Sequence, residues 1–352
     1  MQSFQRFLWA TFVVLMLATS MHVRAAVFCV QTSHDLTSAL LQAASNGQNN
    51  TIKIVAGTIT GSFGYSTADS FNLDIEGGWS IIDCAIQRRD AALTILDGTS
   101  VNANYALVLN TSGSGNITLR YLTFQHYFTF APTLALYTGG SGDLRLENSL
   151  FIHNSPISNA NPIIDMVNFG GSGSVYFLDN AVIANLSNGP IVYLQGGGSA
   201  SATCNLCANN NTVSGNTLAY GYYSAVEVAS LNAANTNLAN NIFWGNSGQG
   251  PDLYIVGSAI LVDNDVGTEG GTTPAAGSSG NISVDPLFAN AAAGDYRLRA
   301  TSPARDVGDN TPPGTIRNYD LDGTARIDGA IVDMGAYEFH NVIFANDFEV
   351  TP

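Results

Sequence analysis

The chain has 352 residues and a formal net charge of −15, because 27 Asp and Glu outnumber 12 Lys and Arg. This acidic balance argues against nucleic acid and anionic membranes as partners, since both attract basic patches. Hydrophobic residues make up 45% of the sequence, which is enough for a core and excludes a disordered chain.

Residues 1–25 have the pattern of a secretory signal peptide. Arg6 gives a positive start, residues 7–18 are apolar, and Val23-Arg24-Ala25 matches a small-residue cleavage site. A retained membrane anchor is the alternative, but the apolar run is short for a span. No second apolar run of ~20 residues follows. We therefore expect an exported mature chain without a transmembrane helix, located outside the cell or in the outer cell envelope. We also expect this chain to be a monomer.

Residues 34–45 are predicted to form one amphipathic helix. Leu36, Leu40, Leu41 and Ala44 recur there at helical spacing. Strand-like stretches follow at residues 51–57 and 71–79. We expect the helix to cover the open end of the repeat array that comes next, where strand edges would otherwise be unpaired.

Residues 117–246 contain a sequence repeat marked by large apolar residues: Phe124, Phe151, Ile183, Val213 and Phe243. Their spacings are 27, 32, 30 and 30 residues, a period typical of stacked repeats that bury their faces on one another. The residues before each marker alternate between apolar and polar, as in a strand with one buried face. Asn148, Asn180, Asn210 and Asn240 precede four of the markers, and we expect them to stack at a turn.

Each repeat also contains a second strand-like run, at residues 133–137, 162–167, 191–194, 225–228 and 253–256. Short strands without an intervening helical period predict an all-β fold, a parallel β-helix solenoid. At this point the chain resembles the right-handed parallel β-helix superfamily, also called pectin-lyase-like, over roughly residues 50–290. That superfamily includes pectin and alginate lyases and polygalacturonases, so the resemblance implies a right-handed solenoid but no single chemistry.

The four cysteines are even in number, which favours disulfides in an exported protein. We predict a Cys29–Cys84 bond that joins the N-terminal cap to the first coil, and a local Cys204–Cys207 bond. A redox-active or metal-binding role for the second pair is the alternative. It has no support from a second Cys-x-x-Cys pair or a nearby histidine.

The C-terminal region carries a dense series of short motifs. They read Asp-Pro-Leu-Phe (285–288), Gly-Asp-Tyr-Arg-Leu (294–298), Ser-Pro-Ala-Arg-Asp-Val-Gly (302–308), Asp-Leu-Asp-Gly (320–323) and Asp-Met-Gly-Ala-Tyr-Glu (333–338). In this order they resemble the choice-of-anchor Q domain, which implies closure of a β-helix and often a surface-sorting signal. The predicted organisation is a signal peptide (1–25), a β-helix with its N-terminal cap (26–290), an irregular C-terminal cap (291–339) and a tail (340–352).

Two groups of residues in these regions are candidates for ligand chemistry. Asp320 and Asp322 could bind calcium through carboxylate oxygens, although no full EF-hand loop is present. We favour ion pairs and turn hydrogen bonds there, and we expect no cofactor. Arg120, Glu147 and Asp179 are predicted to form one outward column that could contact an acidic sugar or assist a lyase. The alternative is cross-strand charge pairing.

The second strand-like run of each repeat supplies another candidate site. Asp165, Tyr193, Glu227 and Tyr254 are predicted to face outward in successive coils. Asp165 and Glu227 would then lie two rungs apart, ~9–10 Å, near the upper end of the carboxylate separation in inverting glycosidases. The tyrosines could stack on sugar rings.

These features predict an exported β-helix protein with a non-catalytic adhesion or polysaccharide-contacting surface. The alternative is a polysaccharide lyase or glycoside hydrolase acting on an acidic polysaccharide through Asp165, Glu227 and Arg120.

Overall fold

The computed structural model describes residues 25–99, 104–156, 160–198, 204–219, 223–230 and 235–340. The predicted signal peptide lies outside these residues except for Ala25, and the tail lies outside them except for His340. No helix in the described ranges is both long enough and apolar enough to cross a bilayer.

The described residues form three long parallel sheets, and the chain passes through sheets 1, 2 and 3 in turn in each coil. Sheet 1 contains the strands Ala26–Val30, Asn50–Val55, Leu73–Trp79, Ile117–Arg120, Leu144–Glu147, Val175–Leu178, Leu206–Asn209, Thr236–Ala239 and Ile260–Val262. Sheet 2 contains Gly57–Thr60, Thr94–Asp97, Thr123–Gln125, Leu150–Ile152, Ala181–Ile183, Thr212–Ser214, Ile242–Trp244 and Asp265–Val266. Sheet 3 contains Phe63–Thr67, Leu107–Thr111, Leu134–Thr138, Ile164–Asn168, Val192–Gly196, Val226–Ser230, Leu253–Val256 and Glu269–Gly271. The fold is therefore the predicted all-β parallel β-helix solenoid.

Inward-facing side chains stack in columns along the solenoid axis and form its core. The rings of Phe124 and Phe151 lie parallel, with centroids 4.6 Å apart. Val182, Val213 and Phe243 continue the same column in the next three coils. All five are fully buried, and each such side chain contributes about 1.5–3 kcal/mol of hydrophobic stabilisation.

The structure corrects the predicted repeat at its third copy. Phe151 pairs with Val182 and not with Ile183, so the coil steps are 27, 31, 31 and 30 residues. Asp179 has a positive φ of 55° at the corner between sheets 1 and 2, as Asn148 does with 41°. Asn180 therefore lies one position further along the coil than the sequence alignment placed it.

Two asparagine ladders run along the corners of the solenoid. The first contains Asn180, Asn211, Asn241, Asn264 and Asn281. The second contains Asn154, Asn185, Asn216 and Asn246 and ends on Asp252. In each ladder a side-chain oxygen accepts a hydrogen bond from the backbone N–H of the preceding coil. The ladders therefore satisfy turn backbone groups that would otherwise be buried without partners.

A helix, Ser33–Ala43, covers the N-terminal end of the solenoid. It begins with a capping box in which the Thr32 side chain accepts from the Asp35 backbone and Asp35 accepts from the Thr32 backbone. Leu36 and Leu40 are buried as predicted, whereas Leu41 is exposed. The helix therefore closes the apolar core at this end.

Both predicted cysteine pairs are confirmed. Cys29 and Cys84 form a disulfide with Cα atoms 5.8 Å apart, which joins the first strand of sheet 1 to the loop after Trp79. Cys204 and Cys207 are paired with Cα atoms 5.9 Å apart, at the start of the strand Leu206–Asn209.

The C-terminal segment, residues 285–340, packs along the corner between sheets 1 and 2. Its regular structure in the described residues is limited to a 3-10 turn, Ala291–Ala293, and the antiparallel strands Phe288–Asn290 and Asp295–Leu298. Two further short elements belong to the solenoid: the 3-10 turn Ala91–Leu93 and a parallel pair, Leu186–Ser187 with Thr217–Leu218. Phe288, Tyr296 and Leu298 pack with outward residues of sheet 2 in a second apolar cluster. The segment thus covers one flank of the solenoid and leaves the outer face of sheet 3 open.

Candidate functional site

The outer face of sheet 3 brings together the four residues predicted to share one column. Asp165 pairs with Tyr193, Tyr193 with Glu227, and Glu227 with Tyr254 in successive parallel strands. Neighbouring parallel strands lie about 4.8 Å apart, so Asp165 and Glu227 are separated by about 9–10 Å across Tyr193. The predicted column is confirmed, because apolar neighbours on the same strands point into the core.

A groove of about 370 Å³ lies over this column. Its floor is formed by Asp165, Tyr193 and Glu227. Its other lining residues come from the ends of the strands and the adjoining loops: Tyr137, Ala160, Asn161, Pro162, Val167, Phe169, Pro190, Gln195 and Tyr223. Tyr254, which is 39% exposed, extends the column beyond the lining residues by one strand. The groove therefore runs across the strands, parallel to the solenoid axis.

Tyr137 fixes the position of the Asp165 carboxylate. The Tyr137 hydroxyl donates a hydrogen bond of 2.6 Å to Asp165 Oδ2. Burial raises the pKa of Asp165, and the hydrogen bond from Tyr137 opposes that rise. The pKa of Tyr137 is also raised, by burial first and then by its hydrogen bond to the carboxylate. Asp165 is thus a positioned acceptor with one oxygen already engaged.

Glu227 and Tyr193 form the centre of the groove floor. Burial raises the pKa of the Glu227 carboxyl. It also raises the pKa of the Tyr193 hydroxyl, and the neighbouring Glu227 and Asp165 carboxylates add to that effect. The Tyr193 hydroxyl donates to Gln195 Oε1 at 2.9 Å, two residues further along the same strand.

Three aromatic residues of the groove were missed from the sequence: Tyr137, Phe169 and Tyr223. Phe169 is 66% exposed, and its ring centroid lies 5.5 Å from that of Tyr137. Tyr137 could have been found, because it lies two residues after Ala135, the strand partner of Asp165. Phe169 and Tyr223 lie in loops without a period, so the sequence gives no signal for their position.

The predicted column of Arg120, Glu147 and Asp179 is wrong at its third member. Glu147 pairs with Arg120 in sheet 1, but the next strand places Leu178 opposite Glu147. Asp179 lies at the corner, because the third repeat is shifted by one residue. Glu147 and Asp179 are both buried, only 1% exposed, so the column does not face solvent as predicted.

The C-terminal segment supplies arginine partners to these two acids. Arg317 contacts Glu147 at 2.9 Å, and Arg326 contacts Asp179 at 3.4 Å. Arg120 is 2.8 Å from Glu76 and belongs to a charge network on sheet 1. The structure therefore does not bring Arg120 into the groove with Asp165 and Glu227.

The side chains of Asp320 and Asp322 are engaged in the C-terminal segment. Asp320 accepts hydrogen bonds from the Thr324 backbone, the Thr324 hydroxyl and the Glu338 backbone. Asp322 forms a two-point ion pair with Arg297, at 2.7 and 3.0 Å. In the part of the chain that the structure describes, no group of three or more His, Cys, Asp or Glu is arranged to hold a metal ion.

The geometry of the groove permits two kinds of chemistry. Aromatic faces beside hydrogen-bond acceptors are suited to holding sugar rings, and two separated carboxyls are suited to acid–base work.

A comparison of the chain with protein-family models finds no match, and a comparison with curated proteins finds no similar sequence.

Proposed function

We propose that this protein is a non-catalytic polysaccharide-contacting β-helix that binds an extended glycan along the groove on sheet 3. The observation that carries the proposal is the column of Asp165, Tyr193, Glu227 and Tyr254, with aromatic and carboxylate side chains alternating at one-strand intervals. Tyrosine rings stack on the apolar faces of sugars, and carboxylates accept hydrogen bonds from sugar hydroxyls. A glycan lying across the strands would meet both in alternation.

Retention of the purified chain on immobilised polysaccharides, followed by titration with oligosaccharides, tests this proposal. We expect Tyr193→Ala to weaken binding about fivefold or more, because the stacked ring is lost. Phe128→Ala is the matched control, because Phe128 is an exposed aromatic outside the groove lining. Equal effects of the two substitutions, or no retention on any glycan, would contradict the proposal.

A glycoside hydrolase or polysaccharide lyase is the second candidate function. It is favoured by the carboxyls of Asp165 and Glu227, which share one groove and have pKa values raised by burial. Release of reducing ends or unsaturated sugars from a polymer, lost in Glu227→Gln with the fold intact, would favour this candidate. Arg120 has no part in it, because it lies in the sheet 1 charge network.

We also propose that the chain is exported and acts outside the cell or in the outer envelope. The apolar leader and the two cysteine pairs support export, since disulfides persist in oxidising compartments. The C-terminal motifs support a choice-of-anchor Q-like closure of a pectin-lyase-like solenoid. N-terminal sequencing of the mature protein from culture medium or an envelope fraction should begin at Ala26. A full-length protein in the cytoplasm would contradict this proposal.

A further inference from the structure

Among the residues that the structure describes, no Lys or Arg side chain lies on the outer face of sheet 3. The sequence has no Lys or Arg in any strand of sheet 3, nor in the segments that connect sheet 3 to the strands before and after it. The residues from 26 onward contain ten such cations: Lys53, Arg88, Arg89, Arg120, Arg145, Arg297, Arg299, Arg305, Arg317 and Arg326. None of them lines the groove.

The cations lie on other parts of the molecule, and many already have acidic or aromatic partners. Arg120 contacts Glu76 on sheet 1 at 2.8 Å, and Arg297 contacts Asp322 in the C-terminal segment at 2.7 Å. Lys53 lies over the ring of Trp79, 3.7 Å from its centroid. These cations are therefore not placed to neutralise an acidic ligand in the groove.

The charged side chains of the groove itself are both acidic. Asp165 and Glu227 are its only ionisable carboxyls among the lining residues that the structure describes, and no lining residue is a histidine. An acidic sugar stacked on Tyr193 would place its carboxylate about one strand spacing from each of them. Like charges at that distance repel, and burial of the site reduces screening by water. The groove is thus electrostatically unfavourable for uronate and sulfated polymers.

We propose that the groove selects polysaccharides that carry no anionic groups. This inference rests on the proposed glycan-binding function and names its ligand class. Uncharged sugars supply hydroxyl donors to Asp165 and Glu227 and apolar faces to Tyr193 and Tyr254. Carboxylates then act as acceptors without a repulsive partner, and the hydrogen bonds they accept are stronger than neutral ones. This preference is the opposite of the sequence-based expectation of an acidic polysaccharide, which included Arg120 in the site.

The test is a comparison of one neutral oligosaccharide with its own C6-oxidised, uronate-containing form. The neutral ligand is the tightest binder from a panel, and both forms are titrated calorimetrically into the full mature chain at low ionic strength. We expect the uronate form to bind about tenfold more weakly. Salt at roughly 1 M should narrow the difference between the two dissociation constants without removing it, because partly buried carboxylates are screened less than exposed ones.

Two variants separate the charge effect from a loss of structure. Glu227→Gln removes one groove charge at nearly constant shape, and we expect it to reduce the discrimination about threefold while neutral binding is kept. Glu269→Gln removes a charge from the last strand of sheet 3, outside the groove lining, and should leave the discrimination unchanged.

The possible failures are distinguishable. If neither ligand form binds, the proposed function and this inference both fail. If the uronate form binds as tightly as the neutral form, and Tyr193→Ala weakens both, glycan binding stands and the selection against anions is overturned.

Discussion

At the scale of single residues, the asparagine ladders hold the corners of adjacent coils together. Asn211 shows the full pattern. Its side-chain oxygen accepts from both the backbone and the side-chain nitrogen of Asn180, and its side-chain nitrogen donates to the Phe177 carbonyl and to Asn241 Oδ1. All of these groups are buried, so each depends on the ladder for its hydrogen bond.

We expect Asn211→Ala to reduce the free energy of unfolding by about 2–4 kcal/mol, because several buried partners lose their hydrogen bonds at once. Urea unfolding monitored by circular dichroism measures the loss. Asn281→Ala is the matched control, since Asn281 is the exposed last member of the same ladder. A loss at Asn281 equal to that at Asn211 would show that burial of the ladder is not what makes it stabilising.

At the scale of elements, the C-terminal segment is attached through a buried charge cluster. Arg326 is 1% exposed and lies 3.4 Å from Asp179 and 3.3 Å from Glu338. It also donates to the Asp333 carbonyl at 2.8 Å. One guanidinium thus faces several carboxyls, with Asp320 and Asp333 also buried nearby.

Removal of this guanidinium should detach the segment from the solenoid. Above about pH 8, where the Asp179 and Glu338 carboxyls are ionised, we expect Arg326→Leu to cost about 3–5 kcal/mol, because it leaves buried charged acids without their cation. Limited proteolysis should then cut within residues 300–340 faster than in the parent protein. Arg297→Ala is the control, since its pair with Asp322 is half exposed and should be worth less than about 1 kcal/mol.

The same cluster makes the attachment dependent on pH. Burial raises the pKa of Asp179 to about 8 and that of Glu338 to about 7, from ordinary values of 3.8 and 4.5. At pH values between the ordinary pKa and the raised pKa of each carboxyl, the folded state holds a proton that the unfolded chain has released. The free energy of unfolding therefore falls as the pH rises from about 4 to about 8.

We expect cleavage within the C-terminal segment to be slower at pH 5 than at pH 8, measured with a protease whose intrinsic rate is calibrated at each pH. Glu338→Gln should reduce this difference, because it removes one of the titrating groups. A segment that becomes more resistant as the pH rises would contradict the sign of this prediction.

At the scale of the whole molecule, the two disulfides differ in what they constrain. Cys29–Cys84 closes a loop with a sequence separation of 55, whereas Cys204–Cys207 spans a separation of 3. A larger loop removes more entropy from the unfolded chain. We expect the double substitution to Ser at positions 29 and 84 to cost about 4 kcal/mol, and that at 204 and 207 about 2 kcal/mol. Thermal unfolding of the oxidised proteins compares the two losses of stability. A lower melting temperature for the 204/207 variant than for the 29/84 variant would contradict the prediction.

The solenoid and the sheet 3 column could be predicted from the sequence, because both follow from alternation within strands. Asp165 and Glu227 each lie between two core residues of their strand. The alternation therefore predicts both that they face outward and which coil each belongs to. The corner residues were harder to assign. Asparagine is found both at the corner, as in Asn210, and at the next position, as in Asn211. An asparagine alone therefore does not determine the register, and the third repeat was misplaced by one residue.

The path of the C-terminal segment could not be predicted, because it has no period and depends on distant contacts. Arg326 and Asp179 are 147 residues apart in sequence, and no local pattern relates them. The position of the segment also determines which face is available to a ligand, because the segment covers Glu147 and Asp179 and leaves sheet 3 open. The aromatic loops around the groove escaped prediction for the same physical reason.

The C-terminal segment contacts four successive coils through one corner column. Asn148 donates to the carbonyls of Tyr319 and Asp320, Asp179 pairs with Arg326, Asn210 donates to the Asp333 carbonyl, and Asn240 donates to the Asp309 carbonyl. Most solenoids tolerate gain or loss of an internal repeat, since each unit contacts only its neighbours. Here the segment has a fixed length and contacts each of these coils at a set position. A coil added or deleted among them would therefore displace the segment from its hydrogen-bond partners. The segment also reaches an earlier coil, where the Ala91 N–H donates to the Leu321 carbonyl and Arg89 lies over the Tyr319 ring. Variation in the number of coils is therefore restricted to the stretch before residue 89.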